Sequence, residues 1–365
     1  MIKLHIIQAE FGDCFILESK SNNESTTMLI DGGPYQTFTN HLKPALQKLL
    51  LNGKIDLMVL SHIDTDHIIG LLELLNEIKN QREKGTKELV KISKMWHNSF
   101  KSLLLLPDEP MKLLANFFPT QSLKKSKNTI ESLVMKGFQQ GTDLTTVAKS
   151  LKIPTNQGFD EVIEVEDNVR SIRLKNINLH ILGPTKKNLE KLRKEWNDWF
   201  TKKLQTGKTE SGLVQILDKS VPNLASIMFL AKIKNRKILF TGDGLGPDVI
   251  DILSKNGMLN QTGKFYVDVL KVPHHGSDRN ASLEFFNTVN AKYYIISANG
   301  RDDNPSLNTL KWIIESESTS KRPKKIVLTN KTPNVEKVLQ KYDQNKFNYE
   351  SIILEKKSNF LTLDL

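Results

Sequence analysis

The chain has 365 residues, 38% of them hydrophobic and 25% charged, the balance of a globular protein and not of a disordered one. Its formal net charge of +11 favours polyanionic partners, nucleic acid first and an anionic membrane surface second. No apolar run reaches the roughly eighteen residues of a membrane span, no signal peptide is expected, and the single cysteine, Cys14, excludes an internal disulfide and a thiolate metal cluster; a reducing cytoplasm is the expected address.

In chain order, the opening reads as short strands: IKLHIIQA, then CFILES after a Gly-Asp turn, then TTMLID ending at the breaker pair Gly32-Gly33. A helical pattern crosses NHLKPALQKLLLNG, with Gly53 placed to stop it. IDLMVLS is the continuous apolar run of a buried strand. SHIDTDH follows at once, and helical spacing resumes through IIGLLELLNEIKNQ. The character then changes: leucine-rich and lysine-rich helical stretches alternate with polar loops, with one strand, INLHILGP, and one charged helix, KKNLEKLRKEWNDWFTKKLQ. Strand grammar returns in ASIMFLAKI and RKILFTGDG, joined at Lys234-Asn235, and continues through FYVDVLKVPHHGS, AKYYIISANG, KKIVLTN, SIILEKK and FLTLDL. No solenoid repeat or low-complexity linker interrupts this order. The expectation is a single domain over 1–365, with a first half at 1–95, a helix-rich insertion at 96–215 and a second half at 216–365.

Polar groups recur at strand ends: Asp31 after TTMLI, the His62 cluster after LMVL, Asp243 after ILFTG, His274 and His275 after VLKVP. Layered α/β folds place ligand sites at strand ends, so these four point to one shared site. In HIDTDH the donors lie too close in sequence to share one helix stripe, so a tight loop is expected to present them, with Ile63 and Thr65 turned away. Imidazole nitrogens and carboxylate oxygens without thiolate suit Zn, Mn, Fe or Co. His62, Asp64, Asp66 and His67 exceed what one ion takes from one loop, so a second ion, bridged by a carboxylate from elsewhere, is expected. Two ions about 3.5–4 Å apart lower the pKa of a shared water and stabilise both attacking and leaving oxygens, which is hydrolysis of a phosphodiester or an acyl bond. The competing reading, a surface ion pair or capped turn, accounts for one His beside one Asp but not for four such residues at a strand end. Taken singly, TGDG is a turn and His274-His275 a buried pair. His5, His41 and His180 read as packing or surface residues, and His97, beside Trp96, as core before cleft.

FGDCFILES, MLIDGG, HIDTDH, LFTGDG and LKVPHHGS, in that order, resemble the motif set of the metallo-β-lactamase superfamily, in the HxDxDH form of ComEC-like hydrolase domains. The resemblance covers residues 1–95 and 216–310. It implies an α/β fold, a four-layer αββα sandwich with a helical insertion, and two divalent metal ions, Zn or Mn. Carried over by motif, His62 and Asp64 bind one ion; Asp66, His67 and His275 bind the second; Asp243 bridges them. Asp31 orients a ligand histidine from behind, with Asp13 near it in the Gly-Asp turn. His274 is implied as a substrate or phosphate contact acting with Asp66 in catalysis, or the two histidines are swapped; Ser277 and Asn304 lie toward substrate. Two departures stand out. No histidine precedes ASIMFL, where Asp218 or Asn223 is available as a substitute ligand, and after SANG the family's Gly-His-Pro-His segment is replaced, with Asn304 and Ser306 in place of both histidines.

The motif variant and the net charge imply a phosphodiesterase or nuclease acting on DNA or RNA. Lys124, Lys125, Lys127, Lys186, Lys187, Lys191, Arg193 and Lys194 are candidates to track a backbone, and Trp196, Trp199 and Phe200 to stack bases; an amphipathic helix with a solvated charged face is the plainer account of the second group. The resemblance also implies a protein partner in a multi-component bacterial defence system. Alternatives from other classes are a small-molecule hydrolase (cyclic nucleotide, lactone or lactam) and a catalytically weakened binding module.

Overall fold

The computed structural model describes residues 1–21, 24–50, 53–99, 102–103, 130–206, 222–317 and 322–365. Two sheets form the centre. The first contains β1 (Ile2–Ile7), β2 (Phe15–Lys20), β3 (Ser25–Ile30), β5 (Leu57–Val59), β7 (Met95–Trp96) and β16 (Phe360–Asp364), in the order β16-β1-β2-β3-β5-β7. A minor pair, β4 (Lys54–Ile55) and β6 (Lys91–Ile92), lies outside it. The second sheet runs β15-β14-β13-β12-β11-β10-β9-β8. Its members are β8 (Arg170–Leu174), β9 (Ile177–Gly183), β10 (Met228–Ile233), β11 (Arg236–Phe240), β12 (Phe265–Lys271), β13 (Val289–Ile296), β14 (Lys324–Leu328) and β15 (Tyr349–Ile353).

Alternation along the strands of the first sheet decides what packs where. Ile2, Leu4, Ile6, Phe15, Leu17, Met28, Ile30, Leu57 and Val59 face the second sheet and share a core with it. The intervening Ile7, Ile16, Leu29 and Met58 face outward, onto α1 (Lys43–Leu49), α2 (Thr65–Glu83) and α3 (Ile130–Ser150). Across the molecule, α5 (Gly246–Lys255), α6 (Leu283–Thr288), α7 (Leu307–Glu315) and α8 (Pro333–Lys341) cover the second sheet, the last three as crossovers between parallel strands β12 to β15. The result is the expected αββα order of layers.

Within 96–215, the described residues form α3 and α4 (Lys186–Thr206), and also β8 and β9, which extend the edge of the second sheet beyond β10. SIILEKK and FLTLDL part company: β15 ends the second sheet, whereas β16 returns to pair with β1. Among the described residues, no helix is long and apolar enough to cross a membrane.

Candidate metal centre

The ends of β3, β5, β11 and β12 meet at one edge of the sandwich. β3 stops at Asp31, which takes a left-handed backbone (φ 56) that aspartate tolerates better than most residues. The turn that follows lies directly on the first turns of α2: Gly32 N donates to His67 O (2.8 Å) and Gly70 N to Gly33 O (3.1 Å). Gly32 and Gly70 permit that approach, since a Cβ on Gly70 would fall 1.9 Å from Gly32 O. The expectation of a loop presenting all of HIDTDH is therefore corrected. α2 begins at Thr65, inside the motif, with Asp64 at its N-cap and Asp66 in its first turn, where the helix dipole favours carboxylates. Asp64 makes no side-chain cap bond; its carboxylate stands 3.5 Å from His62 Nε2 instead.

Hydrogen bonds fix which nitrogen each ring presents. Ser61 Oγ donates to Asp31 Oδ2 (2.7 Å), so that hydroxyl accepts from His62 Nδ1 (3.0 Å). His67 Nδ1 donates to Asp31 Oδ2 (3.0 Å), and His275 Nδ1 donates to the Ser297 carbonyl (3.0 Å). In all three rings the proton sits on Nδ1, leaving an Nε2 lone pair. Those lone pairs converge on Asp243: His67 Nε2 lies 3.4 Å from Oδ1, and His275 Nε2 and His62 Nε2 lie 3.4 and 3.6 Å from Oδ2. His67 and His275 present their Nε2 atoms to each other at 3.3 Å, and Asp66 Oδ2 is 3.2 Å from His275 Nε2. His62 Nε2 is buried without a hydrogen-bond partner.

Charge sets the second constraint. Asp13, Asp31, Asp64, Asp66 and Asp243 gather around the three rings, and among the described residues the one ammonium beside them is Lys271, whose Nζ is ion-paired with Asp13, donates to Gly242 O (2.7 Å) and lies 3.4 Å from Asp243 Oδ1. Five carboxylates against one ammonium among the described residues leave a negative excess that calls for further cations, protons on the rings or metal ions, because burying uncompensated charge costs several kcal/mol per ion. Burial alone would lower the proton affinity of His67 and His275; Asp243, with Asp31 and Asp13, raises both well above the ordinary imidazole value. Burial likewise opposes ionisation of Asp66 and Asp243, but the imidazoles hold both carboxyls below their usual range. A site that binds protons this avidly, with Nε2 lone pairs aimed inward and one left unpartnered, fits divalent cations taking up N and O donors.

Asp13, His67, Asp243 and His275 all offer donor atoms within 4.8 Å of one another. Asp13 nevertheless faces the Nδ1 edges, at 3.4 Å from His275 and 3.9 Å from His67, so it backs these rings while Nε2 points away from it. Asp31 does the same for His67. His274 lies beside Asp243 too, Nε2 to Oδ2 3.6 Å, and Asn223 Nδ2 is 3.3 Å from its Nδ1. Ser277 is buried, and its Oγ accepts from Arg279 N (3.3 Å). Asn304 closes a turn with its backbone, N to Arg301 O and O from Gly300 N, each 3.0 Å, and Ser306 caps α7 by accepting from Thr309 N (3.1 Å). Asp218, Lys124, Lys125 and Lys127 lie outside the described residues, as do the side chains of Trp196, Trp199 and Phe200. On α4, Lys186 pairs with Glu166, Lys191 with Glu195, and Arg193 donates to Leu103 O, so three of the proposed backbone contacts are engaged within the chain.

Lys271 and Ser61 carry weight that motif reading missed. Both sit inside quoted segments, and the available signal was a lysine closing the apolar strand VDVL, where an ammonium needs a carboxylate to be buried at all.

The chain matches the model of the metallo-beta-lactamase superfamily over residues 7–301. No curated protein matches it. Among solved structures it is similar to the metallo-beta-lactamase fold protein YhfI from Bacillus subtilis, at 9% identity over 99% of this chain and 100% of that one, with a TM-score of 0.39. It is similar also to CmlA, a diiron beta-hydroxylase from Streptomyces venezuelae, at 12% identity over 99% of this chain and 54% of that one (TM-score 0.41). The chain thus spans about half the length of CmlA. Zn(2+)-bound PqqB from Methylobacterium extorquens matches at 8% identity over the full length of both chains (TM-score 0.41). With the family model spanning both halves of the sandwich and every strand end of the centre, the chain belongs to the metallo-beta-lactamase superfamily and has its metal-dependent hydrolase fold.

Proposed function

We propose that the chain is a metal-dependent phosphodiesterase with nucleic acid as its substrate. The observation that carries the reading is the convergence of inward Nε2 lone pairs and uncompensated carboxylates on Asp243. In this reading His62, Asp64 and Asp243 hold one ion, and Asp66, His67, His275 and Asp243 the other, as Zn or Mn. Such ions, when bound, supply Lewis acidity toward phosphoryl oxygens and lower the pKa of water. The chain's residues supply the rest. Asp31, Ser61 and the Ser297 carbonyl lock the three rings in one tautomer and orientation. Asp66, with its side chain 23% exposed, stays ionised and accepts a hydrogen bond from the attacking water. The formal net charge of +11 supports a polyanionic substrate, and the HxDxDH form of the motif supports DNA or RNA.

The test incubates purified protein, stripped with chelator and reloaded with Zn or Mn, with labelled single- and double-stranded DNA and RNA. Cleavage that needs metal and vanishes in Asp66→Ala and His67→Ala is the expected result. Cleavage surviving both substitutions, or protein never exposed to chelator that contains no metal, overturns the reading. Turnover of a lactone or cyclic nucleotide with nucleic acid left intact would replace it by the small-molecule alternative.

A further inference from the structure

We propose that His274 is a metal ligand that completes the donor set of the ion held by His62 and Asp64; this rests on the two-ion reading above. Asn280 Nδ2 donates to the Asp243 carbonyl (2.7 Å), which fixes the amide so that its Oδ1 faces His274 Nδ1, also at 2.7 Å. An amide oxygen only accepts, so His274 carries its proton on Nδ1 and presents an Nε2 lone pair, as the other three rings do. The Asn223 amide touches the same Nδ1 at 3.3 Å, and the shorter contact decides. His274 Nε2 lies 3.6 Å from Asp243 Oδ2, the oxygen that His62 Nε2 (3.6 Å) and His275 Nε2 (3.4 Å) also address, so the ring faces the same carboxylate edge as two other rings of the centre.

Neighbouring backbone puts His274 on the His62 side. Asn223 opens a short turn whose end, Ile227 N, donates to Ser61 O (2.9 Å), beside His62, and His274 N donates to Gly242 O (3.2 Å). Asp66, by contrast, approaches His275 and His67. Each ion would then receive two imidazoles, one carboxylate of its own and a share of Asp243, whereas without His274 the first ion has a single nitrogen donor. Local conformation agrees. His274 and His275 are consecutive left-handed residues (φ 48 and 54), a state that costs roughly 1–2 kcal/mol for each non-glycine residue and that turns both rings onto one carboxylate.

The experiment measures Zn bound after equilibrium dialysis, by elemental analysis, together with the visible spectrum of the Co(II) form. It compares wild type with His274→Ala, His62→Ala, Asn280→Ala and, as a control outside the centre, His41→Ala, whose ring is half-buried against Asn359. Two ions are expected in wild type and His41→Ala. One is expected in His274→Ala and His62→Ala at the same free Zn, with the same spectral component missing from both. The ion that remains in His274→Ala reports a folded site, so loss by unfolding is distinguishable. Asn280→Ala should weaken the same ion by about tenfold, as loss of an outer partner does. Two ions in His274→Ala with wild-type affinity and spectrum overturn the assignment and leave the two-ion reading standing. Wild-type protein that takes up no ion removes both.

Discussion

The two halves of the centre are built from the same residue types yet held differently. Around His67 and His275 the site is closed: both rings are buried, one is fixed by the Asp31 carboxylate and the other by the Ser297 carbonyl, and Asp13 with Lys271 stands behind them. Around His62 it is open: the ring leans on a hydroxyl, and its neighbours Asp64 and His274 have side chains 38% and 29% exposed. Orientation by a carboxylate raises ligand basicity and fixes the ring before any ion arrives, and exposure lets water compete. The closed half should therefore bind first and tightly, and the open half should load last and exchange.

In the two-ion reading Asp243 joins the halves, so its removal should have the largest effect. Asp243→Asn should lose both ions and all metal-dependent hydrolysis, beyond the ~100-fold that an outer partner costs; one ion retained at wild-type affinity would show that the closed half stands without it. Next comes Lys271. Burial alone would lower its proton affinity, but Asp13 and Asp243 raise it, so it remains an ammonium. Lys271→Met leaves the buried Asp13 carboxylate without its ammonium partner and should destabilise the metal-free protein by about 3–5 kcal/mol in urea denaturation. Added Zn should recover part of that loss, since ligand binding to the native state stabilises it. A loss below about 1 kcal/mol would mean that Lys271 only fills space.

A smaller effect compares the halves. Asp31→Asn keeps the shape of the group behind His67 but removes its charge, and should weaken the closed-half ion about 10–100-fold and the open-half ion less, since it reaches His62 only through Ser61. Asp64→Asn should weaken only the open-half ion, read by stepwise displacement of Zn with a chromogenic chelator. Equal effects on both ions from either change would dissolve the distinction between halves.

How much of this was legible beforehand follows the same division. The strand order was readable because alternation and apolar runs are set by burial, and LMVL, ILF and VLKV are buried. That the donors gather at strand ends was readable for the same reason, since a polar residue closing such a run has nowhere else to point. What single motifs do not encode is the closure between distant segments. Nothing in HIDTDH says that Ser61 relays between Asp31 and His62, nor that Asn280 fixes the ring of His274. The start of α2 at Thr65 is encoded by Asp64, an N-cap residue before IIGLLELL, but that signal lies inside a stretch whose spacing by itself suits a loop. Basic residues of α4 looked free in sequence, and pairing with Glu166 and Glu195 is a contact between side chains that composition cannot show.

His97 supplies the internal control for the electrostatics of the centre, with the smallest expected effect. It is as buried as His67, but its Nε2 donates to Thr145 Oγ1 (3.2 Å), and among the described residues its Nδ1 has no partner and no carboxylate adjoins it. Burial therefore acts alone and pushes its pKa down to about 4, opposite to the direction in His67 and His275. As pH falls, the unfolded chain takes up this proton first, near the ordinary imidazole value, and the native state takes it up only near 4. Stability present at neutral pH is thus lost as pH drops through 6.5 toward 4, about 1 kcal/mol of it between pH 7 and 5.5. Urea denaturation of metal-free wild type and His97→Gln at those two pH values isolates this contribution from that of the carboxylates. The variant should lose about 1 kcal/mol less than wild type over the interval; parallel losses would mean that His97 finds a proton acceptor in the native state, and that burial alone does not set the direction.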